Sequence, residues 1–119
     1  MIFKTLERDG YTVELEQPTI FVDNEARKRS GHMTHALAEF EPNYFIDFKS
    51  NCSQNRRGGH SAYGWVECRT SKDGGKTYSD VKTLPYSWES FLDGRWTVSA
   101  EKAVVCDDGS LVLFLLRNT

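Results

Sequence analysis

The sequence has few of the residues that mark several common classes of protein. Its three cysteines, Cys52, Cys68 and Cys106, are an odd number without C-x-x-C spacing, which argues against a disulfide framework and a zinc site. No apolar run approaches the ~20 residues that cross a bilayer, and the charged N-terminus is unlike a secretory signal. With 15 basic and 17 acidic residues, neither nucleic acid nor a membrane is indicated as a partner. We therefore expect a cytoplasmic protein without metal or cofactor, although an extracellular location stays open.

The chain does contain a regular series of short strand-like segments. Alternating or apolar runs are bounded by Gly, Asp, Asn and Pro, and no long segment has the pattern of an amphipathic helix. The predicted strands cover residues 2–6, 11–15, 19–22, 32–40, 44–49, 63–70, 78–84, 96–106 and 111–117. The segments 23–30, 50–62 and 85–95 are predicted loops. Many short, evenly spaced strands are typical of all-β barrels, sandwiches and propellers.

The most specific segment is Ser-Lys-Asp-Gly-Gly-Lys-Thr-Tyr at residues 71–78, between two predicted strands. Asp73 can accept hydrogen bonds from backbone N–H groups one to three residues on, and two glycines supply the positive φ of a tight turn. The hydroxyls of Ser71 and Thr77 can bond across the turn, and Tyr78 can pack beneath it. This pattern resembles the Asp-box repeat of sialidases (neuraminidases) and related β-propellers. The resemblance implies a structural role for Ser71, Asp73, Gly75, Thr77 and Tyr78.

The resemblance also implies the domain organisation. We expect an all-β fold of antiparallel four-stranded propeller-blade sheets, of which 119 residues supply about two at ~40–50 residues each. The single partial-propeller unit 1–119 then divides into an N-terminal hairpin and loop (1–31), a blade with the Asp-box (32–84) and the first half of the next blade (85–119). The last strand is apolar on both faces and needs partners. We expect them from self-association or from the missing remainder of a propeller.

Antiparallel topology separates the loops of the blade into two ends. The Asp-box turn shares one end with the turn at 41–43, while longer loops rich in Arg, His and Trp share the other. Function commonly lies on long loops of a rigid scaffold, and the sialidase active site likewise lies opposite the Asp-boxes. The ligand-binding candidates at this end are Arg29, His32, Arg56, Arg57, His60, Trp88, Arg95 and Trp96. Several arginines there can hold a carboxylate, as the arginine triad of sialidases does.

The same comparison leaves the catalytic groups incomplete. Sialidases place an arginine before the first strand of a blade, to which Arg29 is the nearest match, and an acid/base Asp after the second strand. Residues 48–66 contain no Asp or Glu. The remaining catalytic candidates are Arg29, the loop residue His60, and Glu101, which is either a buried functional carboxylate or a salt-bridge partner within an apolar strand.

Two pairs of aromatic or imidazole side chains could also take part in binding. Trp88 and Trp96 either stack on a sugar ring or pack between blades. His32 and His35 are three residues apart on a strand, so they face opposite sides and form no metal pair.

The resemblance leads us to expect a fragment or subunit of a sialidase-like glycosidase-type propeller. It would act on or recognise glycans, or another small anionic ligand, and be inactive as an isolated chain. The alternatives are a non-catalytic carbohydrate- or protein-binding propeller module and an orphan or truncated domain without activity. Asp-boxes also occur in proteins that do not hydrolyse sugars, and fold analogy alone does not choose between these functions.

Overall fold

The fold is mostly antiparallel β-structure, as the strand pattern predicted. The structure, a computed structural model, describes residues 1–20, 22–53, 64–94 and 97–118. Its elements are β1 (Ile2–Arg8), β2 (Tyr11–Glu16), β3 (Arg29–Glu41), β4 (Tyr44–Ser53), β5 (Gly64–Ser71), β6 (Lys82–Thr83), α1 (Pro85–Asp93), β7 (Thr97–Val105) and β8 (Leu111–Asn118). These strands form three sheets, and the loop candidates Arg56, Arg57, His60, Arg95 and Trp96 lie outside the described residues.

The N-terminal hairpin forms where the Asp9-Gly10 pair predicted a turn. Both residues have positive φ, 48° and 83°, as a two-residue hairpin turn requires. Strands β1 and β2 pair from Ile2 with Glu16 to Arg8 with Tyr11, and every residue of both strands is exposed. The hairpin therefore packs little against the rest of the chain.

The central sheet has the strand order β3-β4-β5-β6, which is the meander predicted for residues 32–84. Strand β3 starts three residues earlier than expected, at Arg29, and β4 runs on to Ser53, so the sheet is longer than the sequence indicated. The return strand β6 is shorter and pairs with β5 over two residues. A short edge strand protects the sheet from pairing with other chains.

One face of this sheet makes the hydrophobic core. Because side chains alternate along a strand, Ala36, Phe48 and Val66 lie on the same face of three neighbouring strands, and all three are buried. Val98 and Ala100 of β7 complete the buried cluster. The Ala100 N–H also donates to the Ser50 Oγ at 2.9 Å, which ties β7 to the middle of the sheet.

The segment 85–95 was predicted as a loop, and this prediction is wrong for most of it. Pro85 occupies the first turn of α1, and Gly94 ends the helix in the left-handed conformation with φ 63°. The buried residues of α1 are Ser87 and Ser90 rather than an apolar stripe, so the sequence lacks the usual helical period. The Ser87 Oγ accepts the Val66 N–H at 2.9 Å, which attaches the helix to β5.

Two other expectations differ from the structure. The strand predicted at 19–22 is absent from its described residues 19, 20 and 22. Glu101 on β7 is exposed and accepts a hydrogen bond from Ser99 Oγ at 3.0 Å, so it is not a buried carboxylate. The neighbouring β-bulge between Ala100 and Lys102 shifts the register at this point. Across the four described ranges, every helix falls short of the length and hydrophobicity of a membrane span.

Candidate functional site

The turn at residues 71–78, which we call the Asp-box turn after the motif that it resembles, has internal hydrogen bonds of the kind that its sequence implied. Asp73 Oδ1 accepts the backbone N–H groups of Lys76 and Thr77 at 3.1 and 2.9 Å, which lie three and four residues on. Its Oδ2 accepts the Thr77 hydroxyl at 2.6 Å, and the Ser71 hydroxyl donates to Oδ1 at 2.8 Å. Hydrogen bonds led by those from Thr77 lower the pKa of Asp73 to about 2. All of these contacts are internal to the turn, so Asp73 stabilises it.

The Asp-box turn lies beside the β3–β4 turn, as antiparallel topology requires. The Gly74 N–H donates to the Asn43 carbonyl at 3.0 Å. Gly74 has a φ of 72°, and a Cβ there would lie 2.9 Å from Asn43 Oδ1, so this position needs glycine. Both turns mark one end of the sheet, and the first residues of β3 and β5 lie at the other end.

A buried carboxylate lies on the sheet face opposite the core. Glu67, in the middle of β5, is 3% exposed. Arg27 donates to its two oxygens through Nη1 and Nη2, both at 2.9 Å, and Arg29 Nη1 donates to Oε1 at 2.7 Å. The indole Nε1 of Trp65 donates to the same Oε1 at 3.2 Å. Arg27 lies in the segment before β3, and Arg29 is the first residue of β3. These contacts therefore join the start of β3 to β5.

The charge of Glu67 is stabilised by these donors. Burial alone would raise its pKa, but the hydrogen bonds from Arg27 and Trp65 outweigh burial and lower the pKa to about 2. Asn51, which is 1% exposed, also contributes to the lower pKa. Even so, neither its Nδ2 nor its Oδ1 reaches a partner in hydrogen-bond geometry among the described residues. The site thus holds an ionised carboxylate beside a buried amide with unused hydrogen-bonding capacity.

A buried lysine lies next to this carboxylate. Lys49 is 6% exposed, pairs with Glu67 across β4 and β5, and donates through Nζ to Asn24 Oδ1. Burial lowers its pKa to about 8, and the positive charge of Arg27 adds to this effect. A small hollow beside it is lined by Val22, Asp47, Lys49, Glu67 and Arg69.

Aromatic side chains form a wall near the start of β5, at the end of the sheet away from the Asp-box turn. Trp65 is buried, and Trp88 of α1 packs against it edge to face, with ring centroids 5.2 Å apart. Phe91 contacts both rings, at 4.7 Å from Trp65 and 5.3 Å from Trp88. The Arg29 guanidinium carbon lies 4.6 Å from the Trp65 ring centroid, in a cation–π contact. Trp88 stays 38% exposed, so the wall keeps an open aromatic edge.

We call Arg27, Arg29, Lys49, Trp65 and Glu67 the Glu67 cluster. Two of the predicted ligand-binding residues lie at this cluster. Arg29 is a member of it, and Trp88 packs against its member Trp65. The side chain of His32 lies outside the described part, while His35 is described and exposed.

The other members of the cluster were missed by sequence reasoning. The stretch without acidic residues ends at residue 66, one position before Glu67. A glutamate and a lysine in the middle of neighbouring central strands are a signal of paired buried charges, because unpaired ones are rarely tolerated there. Arg27 had no such signal, since it is 40 residues from its partner.

The site has no features of a metal centre in the described ranges. No group of three or more His, Cys, Asp or Glu side chains comes together there to hold an ion. Cys68 and Cys106 are free and partly buried, and burial raises the pKa of Cys68. Comparison of the chain with protein-family models, with curated proteins and with solved structures gave no match.

Proposed function

We propose that this chain is part of a sialidase-like, Asp-box propeller, and that the Glu67 cluster recognises the acidic group of a glycan. The observation that carries the proposal is the surplus of positive charge around one buried carboxylate, in a cluster that extends from the middle of β5 toward the end of the sheet away from the Asp-box. The Asp-box geometry supports the propeller, and the aromatic wall beside the cluster suits a sugar ring.

The charges of the cluster and of the adjacent hollow favour an anion. Arg27, Arg29, Lys49 and Arg69 carry four positive charges, against two negative charges on Asp47 and Glu67. The side chains of Arg27 and Arg29 are 27% and 31% exposed, so both can contact a ligand from solvent. Arg29 donates to Glu67 through Nη1, and a guanidinium has five N–H donors in all, so Arg29 can also hold a ligand carboxylate.

Recognition is favoured over hydrolysis by the ionisation state of the buried Glu67 carboxylate. With a pKa of about 2, Glu67 carries no proton near neutral pH and cannot act as a general acid. Its oxygens are also occupied by Arg27, Arg29 and Trp65. We therefore propose that the isolated chain binds glycans without cleaving them, and a fluorogenic sialoside should release no product in its presence.

A lysine substitution tests the binding site with little risk to the fold. In K49M the ammonium, which burial disfavours, is replaced by an apolar side chain of similar length. We expect at least a tenfold loss of affinity for a sialylated oligosaccharide in calorimetric titration, because the nearest buried cation is removed. The matched control is K76M, which removes an exposed lysine from the Asp-box turn at the opposite end and should leave binding unchanged.

The uncharged form of the ligand provides the second control. An asialo oligosaccharide should bind weakly to wild type and to K49M alike, since the proposed contact is to the carboxylate. Equal affinity of wild type and K49M for the sialylated ligand would contradict the proposed site. If wild type binds the sialylated and the asialo ligand with equal affinity, the carboxylate is not recognised, and a neutral-sugar or protein-binding function is favoured instead.

A further inference from the structure

Strand β8 presents an unusual apolar surface. Within the described residues it pairs with β7 alone, and its other edge carries no strand. Its sequence is Leu-Val-Leu-Phe-Leu-Leu-Arg-Asn, with one charge in eight residues, so the edge lacks the charged residues that normally block strand addition. Val112, Phe114 and Leu116 share the face turned away from the core and are 43%, 55% and 45% exposed. This edge and face together need a cover.

The N-terminal hairpin also has an exposed apolar face. Its paired residues Leu6 and Val13 lie on one face with Leu15, and they are 44%, 50% and 41% exposed. The hairpin makes its extensive contacts only between its own two strands. An isolated two-stranded hairpin is marginally stable in water, and three or more strands with an apolar face are needed for independent stability. The hairpin therefore needs a sheet to join.

The total exposed area is large enough to include such interfaces. A compact protein of this mass exposes roughly 6,600 Å², whereas this chain exposes 8604 Å². The surplus is about 2,000 Å², and a standard interface takes ~800 Å² from each partner. The radius of gyration, 16.3 Å, likewise exceeds the roughly 13.5 Å expected for 119 residues. The surplus exposed area is therefore large enough for two such interfaces on each copy, one at the hairpin and one at the β8 edge.

We propose that the β1–β2 hairpin of one copy docks along the free edge of β8 in a second copy. The result is a four-stranded sheet in the order β7-β8-β1-β2, a meander like the β3-β4-β5-β6 sheet. The face formed by Leu6, Val13 and Leu15 then continues the face formed by Val112, Phe114 and Leu116. Each copy gives one hairpin and accepts another, and a reciprocal pair is the smallest assembly in which every hairpin and every β8 edge is used. This proposal does not depend on the glycan-binding function.

The mass in solution is the first test. Light scattering coupled to size exclusion, on the full chain at micromolar concentration, should give a whole multiple of 13.6 kDa that is at least two. A mass of one chain would overturn the proposal.

Two substitutions remove the two halves of the contact separately. The hairpin variant L6K/V13E places opposite charges on one cross-strand pair, which preserves the hairpin while removing its apolar face. The edge variant F114E places a carboxylate opposite its partner Lys102 on β7. Both variants should have the mass of one chain. The control T5K lies opposite Glu14 on the other face of the hairpin and should keep the wild-type mass; a T5K monomer would contradict the assigned face.

Mixing the two variants is the decisive experiment. L6K/V13E keeps an intact β8 edge, and F114E keeps an intact hairpin, so an equimolar mixture should form a complex of two chains that grows no further. Recovery in the mixture also shows that each variant is folded. A mixture that stays monomeric would overturn the head-to-tail contact, as would a hairpin variant with the wild-type mass.

Discussion

Replacing Glu67 with glutamine tests the central electrostatic feature of the molecule. The variant E67Q keeps the size of the side chain but removes the charge to which Arg27 and Arg29 donate. The fall of the pKa from 4.5 to about 2 corresponds to about 3–4 kcal/mol, at ~1.4 kcal/mol for each unit of pKa. Because the two arginines are partly exposed, solvent screening reduces this value. We expect E67Q to lose ~2 kcal/mol of unfolding free energy at pH 7.

The loss should depend on pH in a defined direction. Since folding lowers the pKa of Glu67, the ionised form stabilises the native state above the unfolded pKa of 4.5, and this stability disappears as the pH falls through about 2. In urea unfolding, the difference between wild type and E67Q should therefore be constant from pH 7 to 5 and fall to less than half at pH 3.

An exposed glutamate supplies the control for this experiment. E89Q changes a residue on the solvent side of α1 and should stay within ~0.5 kcal/mol of wild type at every pH. If E67Q is as stable as E89Q at pH 7, or if its deficit is the same at pH 7 and pH 3, the ion pairs do not stabilise the fold as argued.

Three further predictions concern the Asp-box turn, the helix and the buried lysine. G74A should lose ~2 kcal/mol in urea unfolding, because alanine is strained at positive φ and its Cβ would crowd Asn43; a loss below ~0.5 kcal/mol would contradict this geometry of the turn. S87A should lose ~1–3 kcal/mol and speed hydrogen exchange at the Val66 amide, because that buried N–H loses its acceptor; an unchanged exchange rate would contradict the contact. Affinity for a sialylated ligand should fall as the pH rises above about 8, because Lys49 loses its proton, and K49M should lack this dependence.

The parts of the fold that are local in sequence could be predicted. The Asp-box turn depends on residues within an eight-residue segment, so its hydrogen bonds follow from the motif. The central meander follows from alternating runs and turn residues between residues 32 and 84. The helix α1 could not be predicted in this way, because its buried face consists of Ser87 and Ser90 and its aromatic residues suggested a ligand-binding loop.

The Glu67 cluster could not be predicted from the sequence for a different reason. Its donors Arg27 and Arg29 are 40 and 38 residues from Glu67 along the chain. Only the register of β3, β4 and β5 brings them together, and that register includes a shift within β3 between Gly31 and His35. A one-residue slip would turn Glu67 to the core face, so strand positions known to within a few residues cannot place this site.

The helix α1 has a consequence for how quickly a ligand could come and go. It has nine residues, its N-cap residue Leu84 makes no side-chain capping hydrogen bond, and neither end turn has a charged residue that favours the helix dipole. A helix this short is unstable alone, so it persists through its contacts with β5. Around the Glu67 cluster, local opening should therefore begin at α1 and uncover Trp65, the inner side of the aromatic wall. The opening rate of one short helix, rather than the stability of the sheet, would then set the residence time of a ligand bound at this wall.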